Sequence, residues 1–525
     1  MKARPELHPI PLTVVLFGIV LLTLPFHLRP DNFVVDDGYF YPQIARYIAH
    51  GQGSTFNGIM LTNGYHPLWM LVSAAVAKFT SSSGALLQIL SAVQDLLLLG
   101  SVTLLVLMAR AERLRGAVLG CAPLIFFGAT LGIWRLLETN LSLALQLAIL
   151  VMVVPVMPGI FVRSGWKRSV VLGVLFGLVM LARLDLLFFV FAVLLYQVLD
   201  TGREGGLAQR LAQTVLQSVC ATALLVPYLL WNWQHFHHLV TISGAIKSTF
   251  PHVQHWIVQP FVYPVVAAIV WNGALLFRRV RSHFESICLI TAAGAALHLG
   301  YTLSYGELSL WYLTTGYLTL SLAMIRVLDL ALRRLPWPEQ TERIVATLIF
   351  AAFFVLAGLR VFSNFTYTHL RLGRVRFNPS YVESKRALAM KLRETLPAGS
   401  RIMIFDAPGG VAFYSGMSLL PVDGLVSDFQ YNRELVAQGV ARYAAANHID
   451  YFIGPLLKQG QTYDRLDLQE ARSGSTQVTT VKAPLTHESG GSFSLEDSDL
   501  VFSFAEINPD LESTFPEIGV WRIRH

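Results

Sequence analysis

The stretch Val34-Val35-Asp36-Asp37-Gly38-Tyr39-Phe40-Tyr41 follows an apolar run at residues 10–28 and contains two adjacent carboxylates. Carboxylates beside an apolar segment of membrane-spanning length are energetically costly, and they are typically kept where they bind a ligand or take part in chemistry. The aromatic residues that follow them are typical of the membrane–water interface. The stretch therefore predicts a functional site at a membrane surface.

Around this stretch the chain has the composition of a membrane protein. Its 525 residues are 54% hydrophobic and 14% charged, whereas a soluble domain carries about 25% charged residues. Residues 1–362 contain 24 Lys/Arg and 15 Asp/Glu, and the excess positive charge falls in short loops between apolar runs. This placement is typical of membrane topology and argues against nucleic acid as a partner.

The apolar runs predict a polytopic α-helical membrane protein with about eleven transmembrane helices. They lie at residues 10–28, 85–109, 116–133, 139–157, 169–182, 186–199, 211–232, 255–277, 285–303, 309–330 and 344–362. The fifth and sixth runs are each shorter than a bilayer core of about 30 Å requires. We therefore predict two short, tilted helices with Arg183-Leu184-Asp185 at the turn between them.

The charges of the loops predict the orientation of the chain. The loops expected on the cytoplasmic side contain 16 Lys/Arg, and those expected on the opposite side contain 6. By the positive-inside rule the N-terminus is cytoplasmic, and residues 363–525 are extracytoplasmic. The first outer loop, residues 29–84, contains two segments that predict helices lying at the interface, at residues 37–50 and 66–80.

Residues 363–525 predict a separate α/β domain outside the membrane module of residues 1–362. The expected order is a helix at 381–395, a strand at Arg401–Phe405, a turn at 406–410, a strand near 418–422, a helix near 432–446, a strand near 451–453 and further strands after 473. Such alternation is typical of α/β domains. Ligands of these domains often bind at strand ends, which makes Asp406, Gly409 and Gly410 candidates, with a structural turn as the alternative.

In this topology the acidic side chains of the membrane module gather on its outer side. They are Asp31, Asp36, Asp37, Glu138, Asp185 and Glu307. The same side carries Arg135, Arg183, Lys247 and, when protonated, His66. A carboxylate can accept the proton of an attacking hydroxyl, and fixed cations can hold a phosphate leaving group. The combination predicts attack at a carbon that bears a phosphate.

Each candidate residue also has a purely structural interpretation, which the sequence leaves open. The alternatives are helix capping for Asp36, Asp37 and His66, interaction with a helix dipole for Glu138, an ion pair at a turn for Arg183 with Asp185, solvation in a loop for Lys247, and an interfacial aromatic for Tyr312.

Five segments taken together resemble a known superfamily. They are Asp36-Asp37-Gly38-Tyr39, Thr62-Asn63-Gly64-Tyr65-His66-Pro67-Leu68-Trp69, Leu137-Glu138-Thr139, Ala182-Arg183-Leu184-Asp185 and Ser243-Gly244-Ala245-Ile246-Lys247-Ser248. In these segments the chain resembles the GT-C membrane glycosyltransferases that use polyprenyl-phosphate sugars. Relatives include protein O-mannosyltransferases, the lipid A aminoarabinose transferase and mycobacterial arabinofuranosyltransferases.

The resemblance implies roles for individual residues. Asp36 corresponds to the general base, and Asp37 to a residue that orients the base or binds the acceptor. The residues implied near the donor phosphate and sugar are Lys247, Arg183, His66, Glu138, Asp185 and Tyr312. Some relatives bind a divalent cation and others need none. Asp36, Asp37 and Glu138 are the oxygen ligands available here for Mg²⁺ or Mn²⁺, and the sequence does not decide whether they bind it.

The sequence therefore predicts an inverting glycosyltransferase of the bacterial inner membrane. The expected reaction moves a sugar from a polyprenyl-phosphate donor to a hydroxyl of a glycan, lipid or protein acceptor in the cell envelope. Two alternatives come from other classes. One is a flippase or transporter of lipid-linked sugars, and the other is a non-catalytic assembly partner that acts through its outer domain.

Overall fold

The computed structural model describes most of the chain. The described residues are 10–154, 165–200, 206–248, 261–278, 281–305, 309–335, 338–366, 370–372, 375–377, 382–456, 466–472, 475–483, 487–489, 493–504 and 517–524. Glu307 and the N-terminal segment 1–9, for which we made predictions, lie outside these residues.

The membrane module is a bundle of α-helices. Its helices in the described ranges are α1 (Leu12–Leu28), α2 (Asp36–Ala49), α3 (Pro67–Phe79), α4 (Ser83–Ala111), α5 (Ala122–Phe127), α6 (Thr139–Val153), α7 (Trp166–Ala182), α8 (Leu187–Leu199), α9 (Leu207–Phe236), α10 (Ile242–Lys247), α11 (Val262–Gly273), α12 (His283–Tyr305), α13 (Thr314–Arg334) and α14 (Glu339–Thr366). A helix thus overlaps each of the eleven predicted runs within the described residues. Five of them, namely α4, α9, α12, α13 and α14, are long and apolar enough by themselves to cross a membrane.

The short helices lie where the sequence predicts them. Helices α2 and α3 belong to the loop between α1 and α4, with Pro67 at the first position of α3, where its missing N–H costs nothing. A 3₁₀ turn at Leu184–Leu186 separates α7 from α8, so the two short apolar runs are two helices. We call the end of the bundle that carries residues 29–82 the loop end.

The turn at residues 135–138, which leads into α6, is fixed to the loop end by hydrogen bonds to its backbone. The indole N–H of Trp69 donates to the Leu136 carbonyl at 2.8 Å, and the Gln94 amide donates to the Leu137 carbonyl at 2.6 Å. Leu136 itself has a positive φ of 52°, which is uncommon for a residue with a side chain. These bonds set the position of Glu138 at the start of α6.

The C-terminal domain is an α/β domain, as predicted. Its elements are β1 (Leu370–Leu372), β2 (Val375–Phe377), α15 (Val382–Thr395), β3 (Arg401–Ile404), α16 (Gly409–Ser415), β4 (Ser418–Pro421), α17 (Phe429–Gln438), α18 (Val440–Ala446), β5 (Tyr451–Pro455), β6 (Leu466–Arg472), β7 (Ser475–Ala483), β8 (His487–Ser489), β9 (Phe493–Glu496), β10 (Leu500–Phe504) and β11 (Ile518–Arg522). The single helix predicted near 432–446 is two helices, because Gly439 between them has a φ of 78° that ends the first.

A five-stranded sheet forms the centre of this domain, in the order β10-β11-β5-β3-β4. Strand β3 pairs in parallel with both β4 and β5, whereas β11 pairs antiparallel with β5. Apolar side chains of β3 and β5 such as Met403 and Phe452 are fully buried. The segment that follows β3 leads directly into α16, which contacts the loop end of the bundle.

Gly38 permits a close approach at the loop end. A Cβ atom at this position would overlap the carbonyl oxygen of Arg135. We expect Gly38→Ala to lower the free energy of unfolding by about 1–3 kcal/mol, because the backbone of the 135–138 turn cannot move without breaking its hydrogen bonds. The measurement is thermal unfolding of the detergent-solubilised protein.

The matched control for this substitution is Gly84→Ala in the first turn of α4, where a Cβ meets no atom within 4 Å. Because alanine is favoured over glycine in helices by up to about 1 kcal/mol, we expect this variant to be at least as stable as the unmodified protein. A Gly38→Ala variant that unfolds at the same temperature as Gly84→Ala would contradict the account.

Candidate active site

The site is organised around the guanidinium of Arg183, which is only 1% exposed. Arg183 donates to the Glu138 carboxylate at 2.5 Å. It also forms two hydrogen bonds with Asp185, at 2.7 and 3.1 Å. Tyr41 of α2 donates its hydroxyl to the other oxygen of Glu138 at 2.7 Å. The network therefore joins α2, the start of α6 and the turn between α7 and α8.

Two histidines extend this network. The His298 Nε2 atom lies 3.2 Å from the Asp185 carboxylate, and the His66 Nε2 atom lies 3.7 Å from Glu138. His298 was not among our candidates. The signal for it was present, since a histidine inside the apolar run at 285–303 is costly unless it has a polar partner.

The network fixes the charges of its members. Burial raises the pKa of Asp185, but Arg183 and His298 outweigh that effect and hold it well below its ordinary value. Burial lowers the pKa of His66 more than the nearby Glu138 raises it. These shifts favour an ionised Asp185 and an uncharged His66 near neutral pH.

A cavity of about 330 Å³ opens beside this network. Its lining includes the polar side chains of Arg183, Lys247 and Tyr312, and the Lys247 ammonium donates to the Tyr312 hydroxyl at 3.1 Å. The lining also includes Leu187 and Tyr301, which are largely apolar and partly exposed. The cavity can thus take a molecule with a charged head and an apolar tail.

A second, smaller cavity of about 90 Å³ adjoins the first and contains Asp37. The residues that line both cavities are His66, Arg183, Ser243, Lys247 and Tyr312. The smaller cavity is also lined by Glu138 and by Leu425 of the C-terminal domain. A group bound at the shared residues therefore lies between the large cavity and the Asp37 carboxylate.

The Asp37 carboxylate faces the small cavity without a hydrogen-bond donor among the described residues. Burial raises its pKa, and the charges of Asp36 and Asp406 raise it further, while Lys247 and Arg135 lower it. The net pKa is above the ordinary value for an aspartate. A carboxylate with a raised pKa is a stronger proton acceptor, which is the property a general base needs.

Asp36 faces the C-terminal domain instead. Its carboxylate lies 2.9 Å from the Lys385 ammonium and accepts backbone N–H groups from Gly409 and Gly410 at 3.0 and 3.2 Å. It does not line either cavity. Adjacent residues of an α-helix point about 100° apart, and here Asp36 points at Lys385 while Asp37 lines the small cavity. We therefore move the proposed base from Asp36 to Asp37.

The three candidate metal ligands do not form a metal-binding group. Among the described residues, no three His, Cys, Asp or Glu side chains form a group that could hold a metal ion. Asp36 is paired with Lys385, and Glu138 is paired with Arg183 and Tyr41. Cations and N–H groups already occupy these oxygens, so the predicted set of Asp36, Asp37 and Glu138 does not fit Mg²⁺ or Mn²⁺.

The structure agrees with some of the purely structural interpretations of these residues and disagrees with others. The cap of α2 is Val35 and that of α3 is His66, and neither forms a side-chain capping bond. The ion pair of Arg183 with Asp185 is present, as the structural interpretation predicted. Lys247 lies at the end of α10 and lines both cavities, which does not fit the alternative of a solvated loop residue.

No protein-family model matches the sequence, and no curated protein sequence is significantly similar to it. Solved structures do resemble it. ArnT from Cupriavidus metallidurans bound to undecaprenyl phosphate is 13% identical, with a TM-score of 0.54 over 85% of this chain and 96% of that chain.

The oligosaccharyltransferase of Archaeoglobus fulgidus has the same architecture. The form tethered to an acceptor peptide is 11% identical, with a TM-score of 0.53 over 85% of this chain and 68% of that chain. AglB from the same organism, in complex with an inhibitory peptide and a dolichol-phosphate, is 12% identical, with a TM-score of 0.53 over 84% of this chain and 68% of that chain. The chain therefore shares its fold with ArnT and with these oligosaccharyltransferase structures.

Proposed function

We propose that the chain is an inverting glycosyltransferase of the bacterial inner membrane. It moves a sugar from a polyprenyl-phosphate donor to a hydroxyl of a glycan, lipid or protein acceptor in the cell envelope. Its N-terminus is cytoplasmic, and the loop end and the C-terminal domain face the periplasm. The fold shared with ArnT and AglB, whose structures contain undecaprenyl phosphate and a dolichol-phosphate, supports this proposal.

The observation that carries the proposal is the pair of joined cavities. The lining of the large cavity combines cations with apolar side chains, which suits a phosphate attached to an isoprenoid chain. The small cavity places the Asp37 carboxylate beside the residues shared with the large one. A sugar attached to the phosphate would thus lie between the cations and a general base.

The reaction follows from this placement. Asp37 accepts the proton of the acceptor hydroxyl, and the hydroxyl oxygen forms a bond to the anomeric carbon on the face opposite the phosphate. The bond between the anomeric carbon and the phosphate oxygen breaks, and its electron pair leaves with the polyprenyl phosphate. Lys247 and Arg183 stabilise the negative charge that develops on that phosphate.

We expect Asp37→Asn to reduce kcat by at least about 100-fold, because an amide cannot accept the proton. The measurement is release of free polyprenyl phosphate by purified protein supplied with polyprenyl-phosphate sugars and acceptor. In the unmodified protein, kcat should fall as the pH drops through the raised pKa of Asp37, since only the ionised carboxylate acts as a base.

Glu112→Gln is the matched control, because it removes a carboxylate at the opposite end of the bundle, after α4, and it should leave kcat unchanged. Full activity of Asp37→Asn would overturn the assignment of the base. Movement of intact lipid-linked sugar across proteoliposomes without covalent transfer would support the transporter alternative instead.

We expect Lys247→Met to raise KM for the lipid donor by about 10- to 100-fold, since a hydrogen bond to a charged group contributes about 1.5–3 kcal/mol. The same substitution removes a charge that lowers the pKa of Asp37, so the acidic limb of the kcat profile should move to higher pH. Steady-state kinetics across a pH series measure both effects.

Lys78→Met is the control for the loss of one positive charge at the loop end. Lys78 donates to the Ala49 carbonyl and lines neither cavity. An equal increase in KM for the lipid donor in the two lysine variants would show that general surface charge, and not phosphate binding at Lys247, attracts the donor.

A further inference from the structure

We propose that the C-terminal domain positions the catalytic base through Asp36, with Lys385, Gly409 and Gly410 as the positioning residues. This inference rests on the proposed function, in which Asp37 is the base. It assigns a role in the reaction to a domain that contributes few side chains to the cavities themselves.

The contacts to Asp36 come from two elements of the C-terminal domain. Lys385 lies on α15, and Gly409 and Gly410 begin α16. One oxygen of Asp36 receives the Lys385 ammonium and the Gly410 N–H, and the other receives the Gly409 N–H. Both oxygens are thus held, and charge-assisted hydrogen bonds of this kind are roughly twice as strong as neutral ones.

Backbone packing at the same place is very close. A Cβ atom on Gly409 would overlap the carbonyl oxygen of Asp36, and one on Gly64 would overlap the carbonyl oxygen of Leu425. Ala407, just before α16, has a φ of 53°. A residue with a side chain adopts this conformation only where its surroundings enforce it. The backbone conformation of residues 406–410 therefore lets this segment contact the first turn of α2.

Further contacts hold α2 along its length. Arg46 donates to the Phe413 carbonyl at 3.0 Å and lies 3.9 Å from the centre of the Phe413 ring. Tyr39 packs against Phe413 and Tyr414, with ring centres 5.4 and 5.5 Å apart. Helix α2 is thus attached to α16 through Asp36, Tyr39 and Arg46, which do not line the small cavity.

These contacts determine where Asp37 points. No described residue donates a hydrogen bond to its carboxylate, so the orientation of the first turn of α2 sets its position. That turn is held by Asp36, and Asp36 is held by the C-terminal domain. A displacement of about 1 Å at a reacting group can reduce a rate by about 100-fold.

The test is a double-mutant cycle of Lys385→Ala and Asp36→Ala in the full-length protein, with kcat, KM for the lipid donor and the pH profile of kcat as readouts. We expect Lys385→Ala to lower kcat by up to about 100-fold and to leave KM unchanged. In the Asp36→Ala background the same substitution should have no further effect, and Lys385→Arg should restore much of the activity.

Two neighbours on α15 provide matched controls. Arg386 pairs with Asp31 across the same interface, and Lys391 donates to the Ser503 carbonyl within the C-terminal domain. We expect Arg386→Ala and Lys391→Ala to retain the kcat of the unmodified protein. A loss in Arg386→Ala as large as that in Lys385→Ala would assign the effect to general docking of the domain and overturn the inference.

The remaining outcomes separate this inference from the proposed function. Additive losses for Lys385→Ala and Asp36→Ala, or full activity of Lys385→Ala, would overturn the positioning role. If Asp37→Asn is inactive in the same experiments, the proposed function stands even where the positioning role fails. If Asp37→Asn retains full activity, the assignment of the base fails, and this inference fails with it. If the unmodified protein transfers no sugar from any donor, the proposed function itself fails.

Discussion

A buried guanidinium is the constraint on which the rest of the site depends. Removing the charge of Arg183 from water costs several kcal/mol unless it is well paired. Its partners, Glu138 and Asp185, lie at the start of α6 and in the turn between α7 and α8. Because both carboxylates must reach one side chain, these helix ends converge at the loop end, and their convergence forms the wall that the two cavities share.

The two aspartates that begin α2 have separate tasks because of helix geometry. Adjacent helical residues point about 100° apart, so Asp37 faces the small cavity while Asp36 faces Lys385. The cation–carboxylate network of the membrane module and the docked C-terminal domain thus act on the same turn of one helix. In our proposal the membrane module supplies the donor site, and the C-terminal domain fixes the base against it.

Much of this arrangement was predictable from the sequence. The eleven apolar runs, the α/β character after residue 362 and the gathering of Glu138, Asp185 and Lys247 follow from hydropathy and loop charge. The choice between Asp36 and Asp37 as the base does not follow from the sequence, because it depends on Lys385, 349 residues away in the chain. The close approach at Gly38 also depends on tertiary contacts. His298 carries a signal in the sequence, because it is a polar residue inside an apolar run.

The most direct test of the central claim is to incubate purified protein with a panel of polyprenyl-phosphate sugars and acceptors and to determine the anomeric configuration of any product by NMR. The account predicts release of free polyprenyl phosphate together with a glycoside of inverted configuration at the anomeric carbon. Recovery of intact lipid-linked sugar across the whole panel, or a product with retained configuration, would contradict it.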